Sequence, residues 1–185
     1  AAALDLSKAF YSFNHFKLFS SMLKAGLPVG IVNVICNWYG KMFAAVRWDN
    51  VMSDTFHVGS GVRQGGTLSP ALFNIFIDLF IVNLKFAGIG CHVDNVFVGC
   101  FLYADDLIIL SPSVNGLQLM LDTCSATCNS LALEFNYNKS HCIVFGKCCK
   151  SAIEPMTLNG FNIEWVKSIK YLGTCIVGGK KLGFD

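Results

Sequence analysis

An α+β fold, with an antiparallel sheet packed on helices, is what the sequence predicts, and three observations carry the prediction. Strand-like apolar runs alternate with stretches of helical periodicity, at spacings that suit a helix-packed sheet rather than a parallel doubly wound one. Two of these runs, residues 96–102 and 107–110, are joined by Tyr103-Ala104-Asp105-Asp106, which makes a hairpin with two carboxylates at its tip. Finally, 54% of the 185 residues are hydrophobic and 14% are charged, enough to bury a sizeable core and too apolar for a disordered chain. One domain over residues 1–185 is expected, with no second domain.

The elements follow in order. Leu4-Asp5-Leu6 reads as the end of a short buried strand. Residues 15–25 carry Phe16, Phe19, Met22 and Leu23 at roughly helical spacing, and Gly26 followed by Pro28 ends this helix and starts another, expected over 29–43. Residues 44–48 and 55–58, separated by Asp49-Asn50, resemble a hairpin. The run 59–67 holds four glycines, which leave its backbone free to approach a ligand closely. Ser69-Pro70 marks the start of a long helix, with Ser as N-cap and Pro in the first turn. After the acidic hairpin, 115–133 reads as an amphipathic helix, 142–145 as a strand, and short strands near 156–163 and 171–177 close the chain.

Composition narrows the setting. A mean hydropathy of +0.52 directs attention to the greasy stretch 71–88, but Asn74, Asp78, Asn83 and Lys85 interrupt it. A central Asp costs about 2.5–3.5 kcal/mol on membrane insertion, so a buried helix is expected and no membrane partner. The chain opens Ala-Ala-Ala-Leu-Asp without the pattern of a signal peptide and reads as an internal fragment. Nine cysteines, an odd count without regular spacing or a C-x-x-C pair, suit a reducing compartment, nuclear or cytoplasmic, rather than a secreted scaffold or structural zinc. Charge is uneven: residues 1–138 carry net −2 and residues 139–185 net +4. An acidic centre followed by a basic strip suits a polyanion, although solvated lysines give the same count.

The acids carry the chemistry. Burying an ionised carboxylate costs several kcal/mol unless it is paired or binds a cation, and magnesium is the natural hard cation for oxygen donors. Asp-Asp is also an ordinary solvated turn dipeptide. A third carboxylate, Asp5, lies at the edge of another apolar segment. Two metal ions about 3.5–4 Å apart, the arrangement used in phosphoryl transfer, need carboxylates from different strands, and Asp5, Asp105 and Asp106 could supply them.

These residues spell out a family pattern over nearly the whole chain. Leu4-Asp-Leu-Ser-Lys-Ala-Phe10, Gly61-Val-Arg-Gln-Gly-Gly-Thr-Leu-Ser-Pro70 with Leu72-Phe-Asn-Ile-Phe-Ile-Asp78, Tyr103-Ala-Asp-Asp106, Asn136-Tyr-Asn-Lys-Ser140 and Tyr171-Leu-Gly173 stand in the order of five motifs. In them the chain resembles the reverse transcriptase domain of the non-LTR, LINE-like retrotransposons. The resemblance implies a polymerase palm with part of the fingers and no thumb. It implies an RNA-directed DNA polymerase that extends a DNA primer 3′-hydroxyl with deoxynucleoside triphosphates (dNTPs) on an RNA template, with two Mg2+ ions, for which Mn2+ can substitute.

The resemblance also implies roles. Asp5 and Asp105 would hold the metals with Asp106 beside them, and Leu6 would present backbone groups to the triphosphate. Phe10 would pack beneath the incoming sugar, or else be a plain core residue. Arg63, Gln64 and Gly65 lie in the glycine loop, where Gln64 would meet nucleotide and template. Tyr103 would contact the primer–template, and Tyr171, Leu172 and Gly173 would steady the primer end. Lys139 would donate a proton to the leaving pyrophosphate, a general-acid role worth about 10²–10⁴ in rate, or else be a surface lysine. Tyr11 departs from the pattern, which has Asp there, and the upstream fingers and downstream thumb are missing. The isolated fragment is therefore expected to polymerise poorly. The alternative is a catalytically inactive remnant that binds nucleic acid weakly.

Overall fold

A computed structural model of the chain describes residues 1–146, 153–179 and 183–184. Cys148 and Cys149, and the lysines at 147, 150, 180 and 181, lie outside the described residues. The chain divides into two compact units, Lys8–Asp78 and a second made of Ala1–Ser7 with Leu79–Asp185. Strand β1 (Ala2–Asp5) opens the chain. The helices α1 (Ala9–Ser12), α2 (His15–Lys24) and α3 (Val29–Tyr39) follow. The short strands β2 (Phe43–Ala44), β3 (Arg47–Trp48), β4 (Val51–Met52) and β5 (Phe56–His57) come next. The long helix α4 (Ser69–Ala87) leads to β6 (His92–Val93), β7 (Val96–Phe97), β8 (Cys100–Tyr103) and β9 (Asp106–Ile109). Helix α5 (Val114–Leu131), β10 (His141–Cys142), β11 (Met156–Leu158) and β12 (Phe161–Trp165) precede β13 (Ser168–Tyr171), β14 (Thr174–Val177) and β15 (Gly183–Phe184).

In the unit of residues 8–78, α2 starts where Asn14, in extended conformation, accepts the N–H groups of Phe16 at 2.8 Å and Lys17 at 3.4 Å. Its inward stripe is His15, Leu18, Phe19 and Met22, spaced i, i+3, i+4, i+7. Phe16, expected in the stripe, is 77% exposed, and Leu23 is exposed as well. Tyr39 selects this register, since both His15 and Phe19 set their rings edge-on to it. Helix α3 stops at Tyr39 with Gly40 as its C-cap, short of the expected residue 43. The expected hairpin is present: Phe43 pairs with His57 and Arg47 with Met52, with Asp49 at a positive φ of 50° in the turn. Ser69, expected as the N-cap, is the first residue of the helix itself. Its hydroxyl instead donates to the Arg63 carbonyl and fastens the glycine loop to the start of α4.

Helix α4 is long and apolar enough to cross a membrane by length and composition. Its side chains at Leu72, Phe73, Phe76, Ile77, Phe80 and Leu84 are nonetheless buried at helical spacing, which a lipid-facing helix does not require.

The second unit is organised by a six-stranded sheet in the order β11-β12-β10-β1-β9-β8. All its pairs are antiparallel except β10 with β12, which runs parallel, so the sheet is mixed rather than antiparallel throughout as expected. Residue alternation decides what each face does. Ala2, Leu4, Leu107 and Ile109 are buried on one face, while Ala3, Asp5, Asp106 and Ile108 share the other. On that second face Ile108 packs with Ile143 and Ile169, against which Ala3, Tyr171 and Ile176 are also set. A three-stranded antiparallel sheet, β13-β14-β15, supplies Ile169, Tyr171 and Ile176. Helix α5 begins at Ser113, whose hydroxyl accepts the Gly116 N–H, and docks on the edge strand through Gln118, whose amide bonds both N–H and C=O of Thr157.

The expected strand 171–177 divides into β13 and β14. Leu172 at φ 47° and Gly173 at φ 84° form the two-residue turn between them, both in the left-handed region that a type I′ hairpin needs.

Candidate active site

Asp5 ends β1 and Asp106 begins β9, and the two are direct partners across the antiparallel ladder. Asp5 spends its own backbone groups on the other side: its N–H donates to Ser140 Oγ at 3.2 Å and its carbonyl accepts the Asn136 N–H at 2.8 Å. The Asp5–Asp106 pair is therefore of the non-hydrogen-bonded kind, in which the Cα atoms approach to about 4.5 Å and the side chains stand closest. Asp105 occupies the hairpin turn with Ala104, because Tyr103 is the ladder partner of Asp106. Ala104 takes a φ of 51°, a conformation that costs an L-residue about 1–3 kcal/mol.

Electrostatics confirm that the carboxylates crowd one another. The Asp106 carboxyl sits above its ordinary value, first because burial disfavours the charge, then because Asp105 and Asp5 add like charge, with Lys139 opposing. Lys139 places Nζ 4.0 Å from Asp5 Oδ2 and is itself 70% exposed, so it is a loose charge partner rather than a tight ion pair.

Ser140 is a residue that sequence reasoning assigned no role. It is buried, accepts from Asp5, and donates its own proton to the Asn136 carbonyl at 2.9 Å. The segment 134–140 thus extends β1 beyond its last pair, with Ser7 N–H donating to the Glu134 carbonyl at 2.8 Å. These bonds flank Leu6, which bridges Phe135, so the N–H and C=O of Leu6 point to the β9 side, beyond the last pair of that ladder. Its side chain is buried.

Ala3, Asp5, Asp106, Lys139, Lys170 and Tyr171 line a cavity of about 160 Å³. Tyr171 was expected at the primer end, and its place on this wall also shows in its phenol, raised by burial first and then by the Asp106 charge. Leu172 and Gly173 form the turn beyond it. Lys170 was not singled out from sequence, where a lysine in a basic quarter carries no mark of its own. Only the β13–β14 hairpin brings it to the acids. Tyr103, at the end of β8, is 65% exposed.

The remaining predicted residues belong to the unit of residues 8–78 and are described within it. Phe10 is half-buried and stacks on Phe73 with ring centroids 4.1 Å apart, so it does pack as an aromatic core residue. Arg63, Gln64 and Gly65 are all exposed at the outer bend of the glycine loop. The glycine freedom expected to serve a ligand is used internally at Gly61, where an added Cβ would lie 2.6 Å from the Phe10 carbonyl and the Tyr11 Cα. A Cβ at Gly65 would meet nothing within 4 Å. Tyr11, in place of the pattern's Asp, is exposed.

Among the described residues, no three His, Cys, Asp or Glu side chains are gathered tightly enough to form a ready metal site. The donor chemistry nevertheless fits a hard divalent cation: two carboxylates face each other, a third is adjacent, and their mutual repulsion is only partly relieved by an exposed lysine. Asp105, in the turn, is not among the residues that line the cavity of about 160 Å³, yet its charge acts on Asp106 more than that of Asp5 does.

The family model for reverse transcriptase (RNA-dependent DNA polymerase) matches residues 1–176. The chain is 33% identical over 182 residues to the retrovirus-related Pol polyprotein from type-2 retrotransposable element R2DM of Drosophila melanogaster, covering 93% of this chain and 17% of that one. It is 26% identical over 190 residues to the RNA-directed DNA polymerase from mobile element jockey of Drosophila melanogaster, covering 100% of this chain and 20% of that one. Its fold is similar to that of apo telomerase from Candida tropicalis, truncated from the C-terminal domain, with a TM-score of 0.67 and 15% identity over 100% of this chain and 35% of that one. The chain therefore spans between 17% and 20% of the length of these two curated relatives. It belongs to the reverse transcriptase (RNA-dependent DNA polymerase) family and is related to the polymerases of non-LTR retrotransposons.

Proposed function

We propose that this chain carries the nucleotidyl-transfer centre of an intracellular RNA-directed DNA polymerase, with the six-stranded sheet as its palm and the unit of residues 8–78 contributing part of the fingers. The observation that carries the reading is the register pairing of Asp5 with Asp106 beside Asp105, on a face shared with Lys139, Lys170 and Tyr171. Asp5 and Asp105 would hold two Mg2+ ions, or Mn2+ in their place, with Asp106 as a further ligand and with Leu6 offering its free-side backbone groups. Bound there, the metals would supply charge neutralisation at the transferring phosphate and activation of the primer hydroxyl.

The rest falls to the chain's own groups. Ser140 and Asn136 fix the backbone of Asp5, so that its carboxylate direction is set before substrate arrives. Lys139 would donate a proton from Nζ to leaving pyrophosphate once substrate draws it from Asp5, 4.0 Å away. Lys170 and Tyr171 line the wall where a primer terminus would be steadied, with Leu172 and Gly173 turning the strand behind them. Tyr103 faces outward for the primer–template. Phe10 would exclude a 2′-hydroxyl, its stack on Phe73 keeping the ring rigid, and Arg63, Gln64 and Gly65 would meet the dNTP and template.

Two measurements test this. Mn2+ binding to the chain, followed by water-proton relaxation, is expected to be saturable and to be lost in Asp5→Asn and Asp106→Asn. Incorporation of dNTPs on a primed RNA template, by this segment within a longer polymerase polypeptide, is expected to vanish with Asp105→Ala. Activity that survives that substitution refutes the site. Intact metal binding without incorporation in the longer polypeptide would give the inactive remnant.

A further inference from the structure

A cavity of about 540 Å³ in the sheet-bearing unit lies apart from the acidic one. It is lined by Cys128, Asn129, Ala132 and Leu133 at the end of α5, by Glu134, Phe135 and Tyr137 after it, and by Asn159 and Phe161 of the β11–β12 hairpin. Three features that favour positive charge converge there from different causes. The C-terminal end of α5, where Ala132 caps the helix in left-handed conformation, presents the negative end of the helix dipole. Glu134 adds an exposed carboxylate. Tyr137 and Phe161 are stacked with centroids 4.3 Å apart, and Phe161 is 56% exposed, so an aromatic face is open to a cation. Among the described residues, no lysine or arginine lines the cavity.

The polar wall is built rather than incidental. Asn129 Nδ2 donates to Asn159 Oδ1 at 3.2 Å, Asn159 Nδ2 donates to the Tyr137 hydroxyl at 3.3 Å, and the Asn159 N–H is held by Ser125 Oγ at 2.9 Å. Tyr137 is thereby fixed edge and face, with Asn159 in a left-handed turn at φ 51°. A phosphate would be opposed here by the Glu134 carboxylate and by the negative end of the helix dipole. An ammonium would be served by Glu134 and drawn to the ring, but as a compact point charge it does not match the flat aromatic face as a stacked plane does. A planar guanidinium matches all of it, stacking on Phe161 while donating to the carboxylate and to the carbonyls at the helix end.

The geometry points to this cavity as a receptor for an arginine side chain presented by a partner protein, separate from the acidic centre. The test is titration of the ¹⁵N-labelled chain with N-acetyl-argininamide, reading the side-chain amides of Asn129 and Asn159, beside N-acetyl-citrullinamide as the neutral isostere and guanosine as an aromatic base. Saturable shifts with argininamide are expected, weakened about fivefold for citrullinamide, for Glu134→Gln and for Phe161→Leu, the range of single exposed ion-pair and cation–π contributions. Both substitutions fall on exposed side chains, and unchanged circular dichroism shows that the fold survives. Equal midpoints for argininamide and citrullinamide overturn the proposal, as does unchanged affinity in Glu134→Gln, or binding of guanosine in preference to argininamide. Self-association of the chain that Glu134→Gln abolishes would put a second copy in the cavity and overturn the separate partner.

Discussion

Gly61→Ala tests how the glycine loop is held. Gly61 has a φ of +74°, and a Cβ built on it would lie 2.6 Å from the Phe10 carbonyl oxygen, 2.6 Å from Tyr11 Cα and 2.7 Å from the Tyr11 carbonyl oxygen. All three are backbone atoms, so no flexible side chain can move aside. The left-handed conformation alone costs an L-residue about 1–2 kcal/mol. Relieving the clash means parting the two backbones, which strains the Gly61 N–H bond to Phe13 and the Val62 N–H bond to Phe10, at 2.9 and 2.8 Å. Each such bond is worth about 0.5–1.5 kcal/mol net. The total comes to about 2–5 kcal/mol, a large fraction of a typical domain's stability. Gly65→Ala is the control, since it shares the positive φ, at +77°, but has open space around the added methyl. It is expected to cost only about 1–2 kcal/mol. Urea unfolding of the two variants by circular dichroism separates the terms, and equal losses of stability would refute the close-approach argument.

Four further outcomes are expected. Asp106→Asn removes a like charge directly opposite Asp5 and is expected to stabilise the fold at neutral pH by about 0.2–1 kcal/mol while abolishing Mn2+ binding. Because the folded state holds the Asp106 proton more tightly than the unfolded chain does, this group's contribution is fully present below the ordinary carboxylate value of 3.8 and is lost as pH rises through the folded value. Denaturation series across that range should show the fall in the parent and a flatter profile in the variant. Ser140→Ala leaves the Asp5 N–H unpaired in a partly buried place and is expected to cost about 0.5–1.5 kcal/mol by urea unfolding and to weaken Mn2+ binding, neither of which Ser140→Thr should do to the same extent. Asn14→Ala is expected to cost about 0.5–2 kcal/mol through loss of the α2 cap, measured as a lower thermal midpoint. At pH 8, peptide mapping after a short alkylation should find Cys36 modified, because it is exposed, and Cys128 and Cys142 protected, because burial pushes their thiols up to about 12.

Much of the architecture was legible because each signal was local. The hairpin at Asp105 and Asp106 was written as two apolar runs around a turn, and α2, α4 and α5 as periodic stretches with stop signals. What could not be read depends on partners far along the chain. Phe16 and Leu23 are apolar like Leu18 and Met22, and the contacts that go with the inward stripe, those of His15 and Phe19 with Tyr39 and of His15 with Gly61, lie farther along the chain. The parallel pairing of β10 with β12 leaves no trace in either strand. Nor does a buried serine such as Ser140 differ in sequence from a solvated one, and Lys170 joins the acids only through a hairpin whose turn, Leu172-Gly173, had been read as mid-strand. The identity of the acids could be argued from their residue types, whereas the pieces that position them could not.

Strand β1 has β9 on one flank and β10 on the other, and Asp5 is tied to Ser140 across 135 residues. During synthesis this strand emerges among the first residues of the segment yet meets its first neighbour, β9, only once residues 106–109 have followed it out, and β10 later still. At about 5–20 residues per second, that is a wait of roughly 5–30 seconds for an apolar, unpaired edge. The acidic face is consequently among the last surfaces to exist, and a nascent chain halted before β9 would display the first carboxylate with nothing to oppose it.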